Sequence, residues 1–340
     1  MNNFISVVQN GLEYWFRKDE LSRPPIQISI EPTNICNFRC DFCPQSDPEH
    51  LKLKRGYMSI EQCNSILQRS IRDFYPDPGD RKISFTHDGE PFLNKAFPEF
   101  IKLAGSMKFS IKFASNGFGV TPKIIDDLLK EKIRFNICVD FAADKEMFER
   151  YRGFKDSYSK VLTNLDYMVR KAQETGAIFV DICDIAAYYI FEPRKRDIEF
   201  EKLKAIFGKV ESRYVKFSKR VFHNMAGTVE LPEQKKSILK SYRLCPYPWF
   251  NLNITWSGDV IPCCRDLKYD SVLGNVFETD SLWNIWNSSI YKSLRKALIA
   301  RKPQLIKACS GCDLPYDKTR WSAGYILNTV KSRLLRTERR

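Results

Sequence analysis

Between Ile26 and Lys219, six short β-rich apolar runs alternate with helical patterns. IQISIEP precedes SIEQCNSILQRSIRDF, KISFTH precedes KAFPEFIKLAG, and SIKFASNG precedes TPKIIDDLLKEK. RFNICVDF precedes DKEMFERY and SYSKVLTNLDYMVRKAQETG, AIFVDICDI precedes RKRDIEFEKLKAIFG, and YVKFSK is a sixth strand. Ser59 and Thr121 stand where helix N-caps belong, and Pro122 suits a first helical position. Strands separated by helices pair in parallel, because each crossover returns the chain to the same end of the sheet. The pattern therefore predicts an α/β chain built on a partial (β/α)6 TIM-like barrel. In such folds chemistry collects on the loops that follow the C-terminal ends of the strands.

The texture changes after the sixth strand. Residues 1–24 read as an N-terminal extension, 25–220 as the barrel and 221–244 as a linker. Residues 245–312 form a small C-terminal domain, and 313–340 a basic helix or tail. The small domain starts with CPYPWFNLNITWSGDVIPCC, a β-hairpin pattern turning at Ser257-Gly258-Asp259. SLWNIWNSSIYKSLRKAL follows, with Leu282, Trp286, Ile290, Leu294 and Leu298 at steps of four, which predicts one amphipathic helix. No run of about 18 apolar residues offers a membrane span. The start, MNNFISVVQNGLEYWFRKDE, lacks a signal-peptide pattern, and a cytoplasmic setting is expected. The formal charge of +14 is scattered, with its densest patch in KSRLLRTERR. It suits an anionic small molecule; no nucleic-acid partner is expected, since no RNA-binding module accompanies the charge.

Eleven cysteines in such a chain point to metal ligation or thiol chemistry rather than disulfides. Cys36, Cys40 and Cys43 lie in a C-x3-C-x2-C loop directly after the first strand. A structural zinc site closes with four ligands. A four-iron cluster also takes four, usually thiolates. Three thiols in one loop leave one iron open to a substrate or cofactor. A zinc knuckle completed by His50 or a distant cysteine is the alternative that spacing leaves open.

This loop, with Phe42 just before its last cysteine, resembles that of the radical S-adenosylmethionine (SAM) enzymes. The resemblance implies that Cys36, Cys40 and Cys43 ligate a [4Fe–4S] cluster whose open iron chelates SAM, with Phe42 near the adenine. Reductive cleavage of SAM then gives methionine and a 5′-deoxyadenosyl radical. After the second strand, HDGEP is similar to the family's Gly-Gly-Glu-Pro element: Gly89, Glu90 and Pro91 match, and Asp88 departs from it. Glu90 would bind the SAM amino group. Ser115 and Asn116 of SNG resemble the family's Thr-Asn-Gly near the SAM sugar and carboxylate. Asp140 corresponds to a strand-end polar residue, and Arg152 of Tyr-Arg-Gly to an arginine that pairs with the SAM carboxylate.

Cys245, Cys263, Cys309 and Cys312 supply four more thiolates, a closed set for a second [4Fe–4S] cluster. Their spacing resembles the auxiliary-cluster SPASM and shortened "twitch" extensions of some radical SAM enzymes. Cys264, beside Cys263, leaves that ligand open. Cys63, Cys138 and Cys183 sit in helix or strand patterns and read as core thiols. The layout is similar to that of the aminocyclitol dehydrogenases. It implies hydrogen abstraction from a sugar- or aminocyclitol-like alcohol, with an electron passed to the auxiliary cluster. His87, Asp88 and Asp181, at strand ends, are candidate proton acceptors. The substrate expected is a small molecule, with a phosphorylated or nucleotide-linked sugar suited to the basic balance. A flavodoxin- or ferredoxin-type reductant is also expected. The alternatives are a peptide maturase, against which the 24 residues before the first strand weigh as too few for a peptide-recognition domain, and an RNA-modifying radical enzyme.

Overall fold

The computed structural model describes residues 2–210, 212–220, 223–230 and 241–317. The basic tail KSRLLRTERR lies outside them, as does residue 231–240 of the linker. Six parallel strands follow the order expected from the sequence: β1 Gln27–Ile30, β2 Lys82–Phe85, β3 Ser110–Ser115, β4 Phe135–Phe141, β5 Ile178–Asp184 and β6 Val215–Lys219. The helix Ile60–Asp73 starts in a complete Ser59–Gln62 capping box, and Thr121 caps Pro122–Lys130.

The sheet does not stop at β1. Strand β7, Asn251–Ile254, pairs in parallel with β1, Ile28 opposite Leu252 and Ile30 opposite Ile254. β8, Asp259–Ile261, and β9, Gly274–Asn275, then continue antiparallel. The order is β6-β5-β4-β3-β2-β1-β7-β8-β9, so hairpin and barrel strands form one nine-stranded sheet.

Register sorts the two faces of this sheet. Ile30, Phe85, Phe113, Ile137 and Val180 lie in one row, and Val139, Ile182 and Phe217 in another. These apolar rows face the helices: Phe85 and Phe113 pack edge-on against Phe97, and Phe141 packs at a tilt against Phe148. Alternation puts the remaining side chains on the opposite face. There Asn253, Ser29, Ser84, Lys112 and Asn136 form one row. Cys138, Asp181 and Lys216 form the next, and Asp140, Cys183 and Ser218 the last. The inner face is thus polar, where a solid core would be apolar.

The single amphipathic helix expected after Ser281 is two, Leu282–Trp286 and Ser289–Ile299. Ser288 breaks the run by capping the second helix, accepting from the Tyr291 amide at 3.1 Å. The buried stripe shifts accordingly to Tyr291, Leu294, Arg295 and Leu298, and Ile290 is 54% exposed. Arg295 lies 4.5 Å from the Trp286 ring centroid and 4.3 Å from that of Tyr291, and donates to the carbonyls of Asp19, Pro248 and Trp286. The C-terminal helices are thereby tied to the N-terminal extension. Trp283 Nε1 donates to the Asp73 carbonyl at 2.7 Å, tying them to the helix Ile60–Asp73 as well.

One continuous sheet makes a joint prediction. Ile254→Ala, at a buried β7 position beside β1, should lower stability by about 2–5 kcal/mol. Barrel and C-terminal unit should still lose structure together in a thermal melt followed by far-ultraviolet circular dichroism and tryptophan fluorescence; two separated transitions would contradict the coupling.

Candidate functional site

The loop 31–46 leaves the C-terminal end of β1 and is stapled on three sides. Gln45 donates to the Asn34 carbonyl at 3.0 Å, and Asn34 donates to the Lys54 carbonyl at 2.8 Å. The Glu90 amide donates to the Ile35 carbonyl at 2.9 Å. Gly89 permits this approach, because a Cβ there would sit 2.2 Å from the Thr33 carbonyl oxygen. On the third side the amides of Arg39 and Asp41 donate to the Arg152 and Tyr151 carbonyls, both at 3.1 Å. Gly153, at φ +59°, passes so close to Arg39 that a Cβ would meet its carbonyl at 2.2 Å.

Cys36, Cys40 and Cys43 are thereby held close enough to perturb one another's ionisation. Burial pushes the Cys36 thiol up to about 12, with the Glu90 charge adding to it, and burial drives Cys43 well above its ordinary range. Three thiolates cannot sit together there without a cationic partner. His50 Nε2 bonds Asp88 Oδ2 at 2.8 Å, both side chains being buried, and among the described residues its ring nitrogens do not converge with the loop thiols on a single-ion site.

The sequence-derived SAM contacts converge beside these thiols. Glu90 Oε2 accepts from the Asn116 amide at 2.6 Å, and Oε1 from Ser115 Oγ at 2.8 Å. Pro91 opens a short 3-10 turn behind it. Burial raises the Glu90 carboxyl despite those bonds. Arg152 is buried, with its guanidinium 5.2 Å from the Phe38 ring centroid, 3.7 Å from Asp140 and with Nε unpartnered. Burial opposes its charge, but Cys40, Asp140, Cys36 and Glu90 hold it protonated. Phe42 stacks on Tyr188 at 4.4 Å. Three thiols, a buried carboxylate and a guanidinium with a free N–H fit a cluster that chelates a zwitterionic ligand.

Of the candidate proton acceptors, His87 is the best oriented. Its Nδ1 pairs with Glu31 Oε1 at 2.7 Å, and its buried Nε2 has no partner. Burial works against the imidazolium, but the charge and hydrogen bond of Glu31 outweigh it and raise the His87 pKa. Glu31 also accepts from the Trp256 amide and Tyr269 hydroxyl, so this carboxylate joins β1, β2 and the hairpin unit. Sequence reasoning missed Glu31; its only local sign was a charge directly after an apolar strand. Asp88 bonds His50 through Oδ2 while its buried Oδ1 has no partner, and Asp181 accepts from Ser218 Oγ at 2.6 Å. Asp140 bridges Arg152 and Arg220, the latter at 2.7 Å.

The second thiol group forms beyond β8. Cys263 is within electrostatic reach of Cys264, Cys312, Cys309 and Cys245, and Cys245 of Cys312 and Cys264. Burial pushes the Cys245 thiol up to about 12. Beneath them Arg265 and Asp313 form a buried ion pair at 3.1 Å. The Asp313 amide donates to Asn224 Oδ1 at 3.2 Å, and Asn224 in turn donates to the Gly311 carbonyl at 2.6 Å. Part of the expected linker is therefore structural support for the Cys309–Cys312 turn. Cys63, Cys138 and Cys183 are all buried as expected, but Cys138 and Cys183 stand apart from the continuous apolar cluster, their sulfurs meeting at 3.2 Å on the polar inner face. Strand alternation places them there, where reading each strand alone did not.

Comparisons agree with this geometry. The radical SAM superfamily model matches residues 30–184, and that of the SPASM iron–sulfur cluster-binding domain matches residues 245–313. A GTP 3′,8-cyclase of Vibrio atlanticus is 29% identical over 167 residues, 47% of this chain and 45% of the cyclase, so the chain spans less than half the length of that relative. Mycofactocin maturase MftC of Mycobacterium tuberculosis is 23% identical over 329 residues, 87% of this chain and 77% of the maturase. The structure of BtrN in complex with AdoMet and 2-DOIA superposes with a TM-score of 0.55 at 18% identity, covering 86% of this chain and 94% of BtrN.

Gly89→Ala should displace the thiol loop by forcing Ile35 and Thr33 away. Anaerobic reconstitution of this variant should recover about half the iron of the parent, measured by elemental analysis, while the second thiol group still loads.

Proposed function

Since this chain belongs to the radical SAM superfamily and carries a SPASM-type iron–sulfur extension, we propose that it oxidises an alcohol of a sugar- or aminocyclitol-like substrate. The observation that carries this reading is the pairing of two thiol groups on one sheet. An open three-thiol loop sits with Glu90 and Arg152 after β1 and β2, and a four- or five-thiol group is locked to the same sheet through β7. When bound, SAM and its cluster supply the 5′-deoxyadenosyl radical, and the auxiliary cluster supplies an electron acceptor.

The chain's own residues would do the following. Cys36, Cys40 and Cys43 hold the SAM cluster, and Cys245, Cys309, Cys312 and Cys263 or Cys264 hold the auxiliary one. The free N–H of Arg152 receives the SAM carboxylate, and Glu90 with Asn116 positions its amino group. Gly89 and Pro91 shape the turn that carries Glu90. Ser115 braces Glu90, Phe42 flanks the adenine, and Asp140 orients Arg152. His87 accepts the hydroxyl proton at Nε2 while Glu31 fixes its tautomer. The polar inner face, from Asn253 to Asn136, receives a hydroxylated substrate; both amide atoms of buried Asn253 are unpartnered. The chain's basic balance suits a phosphorylated or nucleotide-linked sugar, and a cytoplasmic flavodoxin- or ferredoxin-type reductant would deliver electrons. The length-wide match to mycofactocin maturase favours a second reading, a peptide substrate.

Anaerobically reconstituted protein should hold about eight irons and eight sulfides per chain. With SAM and dithionite it should form 5′-deoxyadenosine, and Cys36→Ala, Cys40→Ala or Cys43→Ala should abolish this. Offering polyols and peptides side by side separates the two readings by which one is converted.

His87→Gln should leave deoxyadenosine formation intact and lower product formation about 100-fold or more. Because the neutral imidazole is the acceptor and its pKa is raised, the parent's kcat/KM should climb with pH through a value above about 6.5. That limb should vanish in His87→Gln.

A further inference from the structure

We propose that Cys138, Cys183 and Asp140 form a third metal site, for a single zinc-class cation, which uses none of the cluster thiols and shares Asp140 with the Arg152 ion pair. The two sulfurs lie 3.2 Å apart, and both sulfurs and an Asp140 carboxylate oxygen lie within 4.8 Å of one another. Both cysteines are buried, at 6% and 1% exposure. They belong to neighbouring strands on the polar inner face, and Cys138 stands opposite Asp181, two residues before Cys183. With strands about 4.8 Å apart and two residues of about 3.3 Å each along the strand, these positions are about 8 Å apart at Cα, beyond the roughly 4.4–6.8 Å that a disulfide spans. The sulfurs converge without the backbone geometry for a direct bond.

Surroundings fit a cation. Arg220 donates from Nη2 to Cys138 Sγ at 2.9 Å and from Nε to Asp140 at 2.7 Å, so a positive charge already satisfies this donor set. A bound cation takes over that charge at the sulfur. Ser218 stands behind, 3.1 Å from Cys183 Sγ and donating to Asp181 at 2.6 Å, a second layer that orients the ligand. Two sulfurs and one carboxylate select zinc over magnesium or calcium, and three protein ligands leave a fourth position open. Binding forms two zinc–sulfur bonds and one zinc–oxygen bond and releases the thiol protons to solvent; no electron moves.

The test uses cluster-loaded protein dialysed anaerobically against zinc chloride, with zinc and iron counted together and the zinc environment read by X-ray absorption. The site predicts about one zinc per chain at unchanged iron content, bound by two sulfurs and lighter atoms. Cys138→Ser and Cys183→Ser should each weaken zinc binding at least about tenfold while still loading iron. If those variants do not fold, the sulfur count on the parent decides alone. No zinc at full iron loading, zinc gained only as iron is lost, or zinc bound by four sulfurs would each overturn the proposal.

Discussion

Everything in this molecule depends on holding several thiols side by side, partly or fully out of solvent. Burial first, and neighbouring thiol and carboxylate charges after it, drive Cys36, Cys43, Cys245 and Cys263 upward, which favours the protonated thiols when no metal is bound. The chain meets the demand with backbone. Gly89 and Gly153 allow the neighbouring loops to touch the thiol loop, and carbonyls of Ile35, Tyr151 and Arg152 are spent on holding it. A loop braced on three sides loses little further freedom when a cofactor docks.

The second consequence concerns distance between functions. Because β7 runs parallel to β1, the auxiliary thiols are carried by the sheet that bears the first thiol loop. Glu31 strengthens the joint, since it bonds His87 on one side and Trp256 and Tyr269 on the other. His87 and both thiol groups are therefore carried by one sheet. The polar inner face lies between them, lined by serine, asparagine, lysine and aspartate where a filled barrel would carry aliphatic layers.

Much of this was legible in the sequence. The six strand–helix units announce themselves locally, through alternation and through caps such as Ser59 and Thr121. The loop thiols carry a spacing that reads without a structure, whereas Glu90 and Arg152 stand out only through the resemblance to the radical SAM family. What stayed hidden was non-local. Pairing of residues 27–30 with 251–254 leaves no mark on either segment. Cys138 and Cys183 are 45 residues apart, and only register brings their sulfurs together. The break at Ser288 was masked by a four-residue periodicity that runs across two helices; the Ser-Ser step there was the available signal.

The central claim is that Cys36, Cys40 and Cys43 hold a cluster with one iron left for SAM. Electron paramagnetic resonance on dithionite-reduced protein tests it most directly, using a variant in which the five C-terminal-unit cysteines are replaced so that only this cluster remains. The account predicts a reduced four-iron signal whose g-values shift when SAM is added. A signal that SAM leaves unchanged, or one arising from a cluster with four protein ligands, would contradict it.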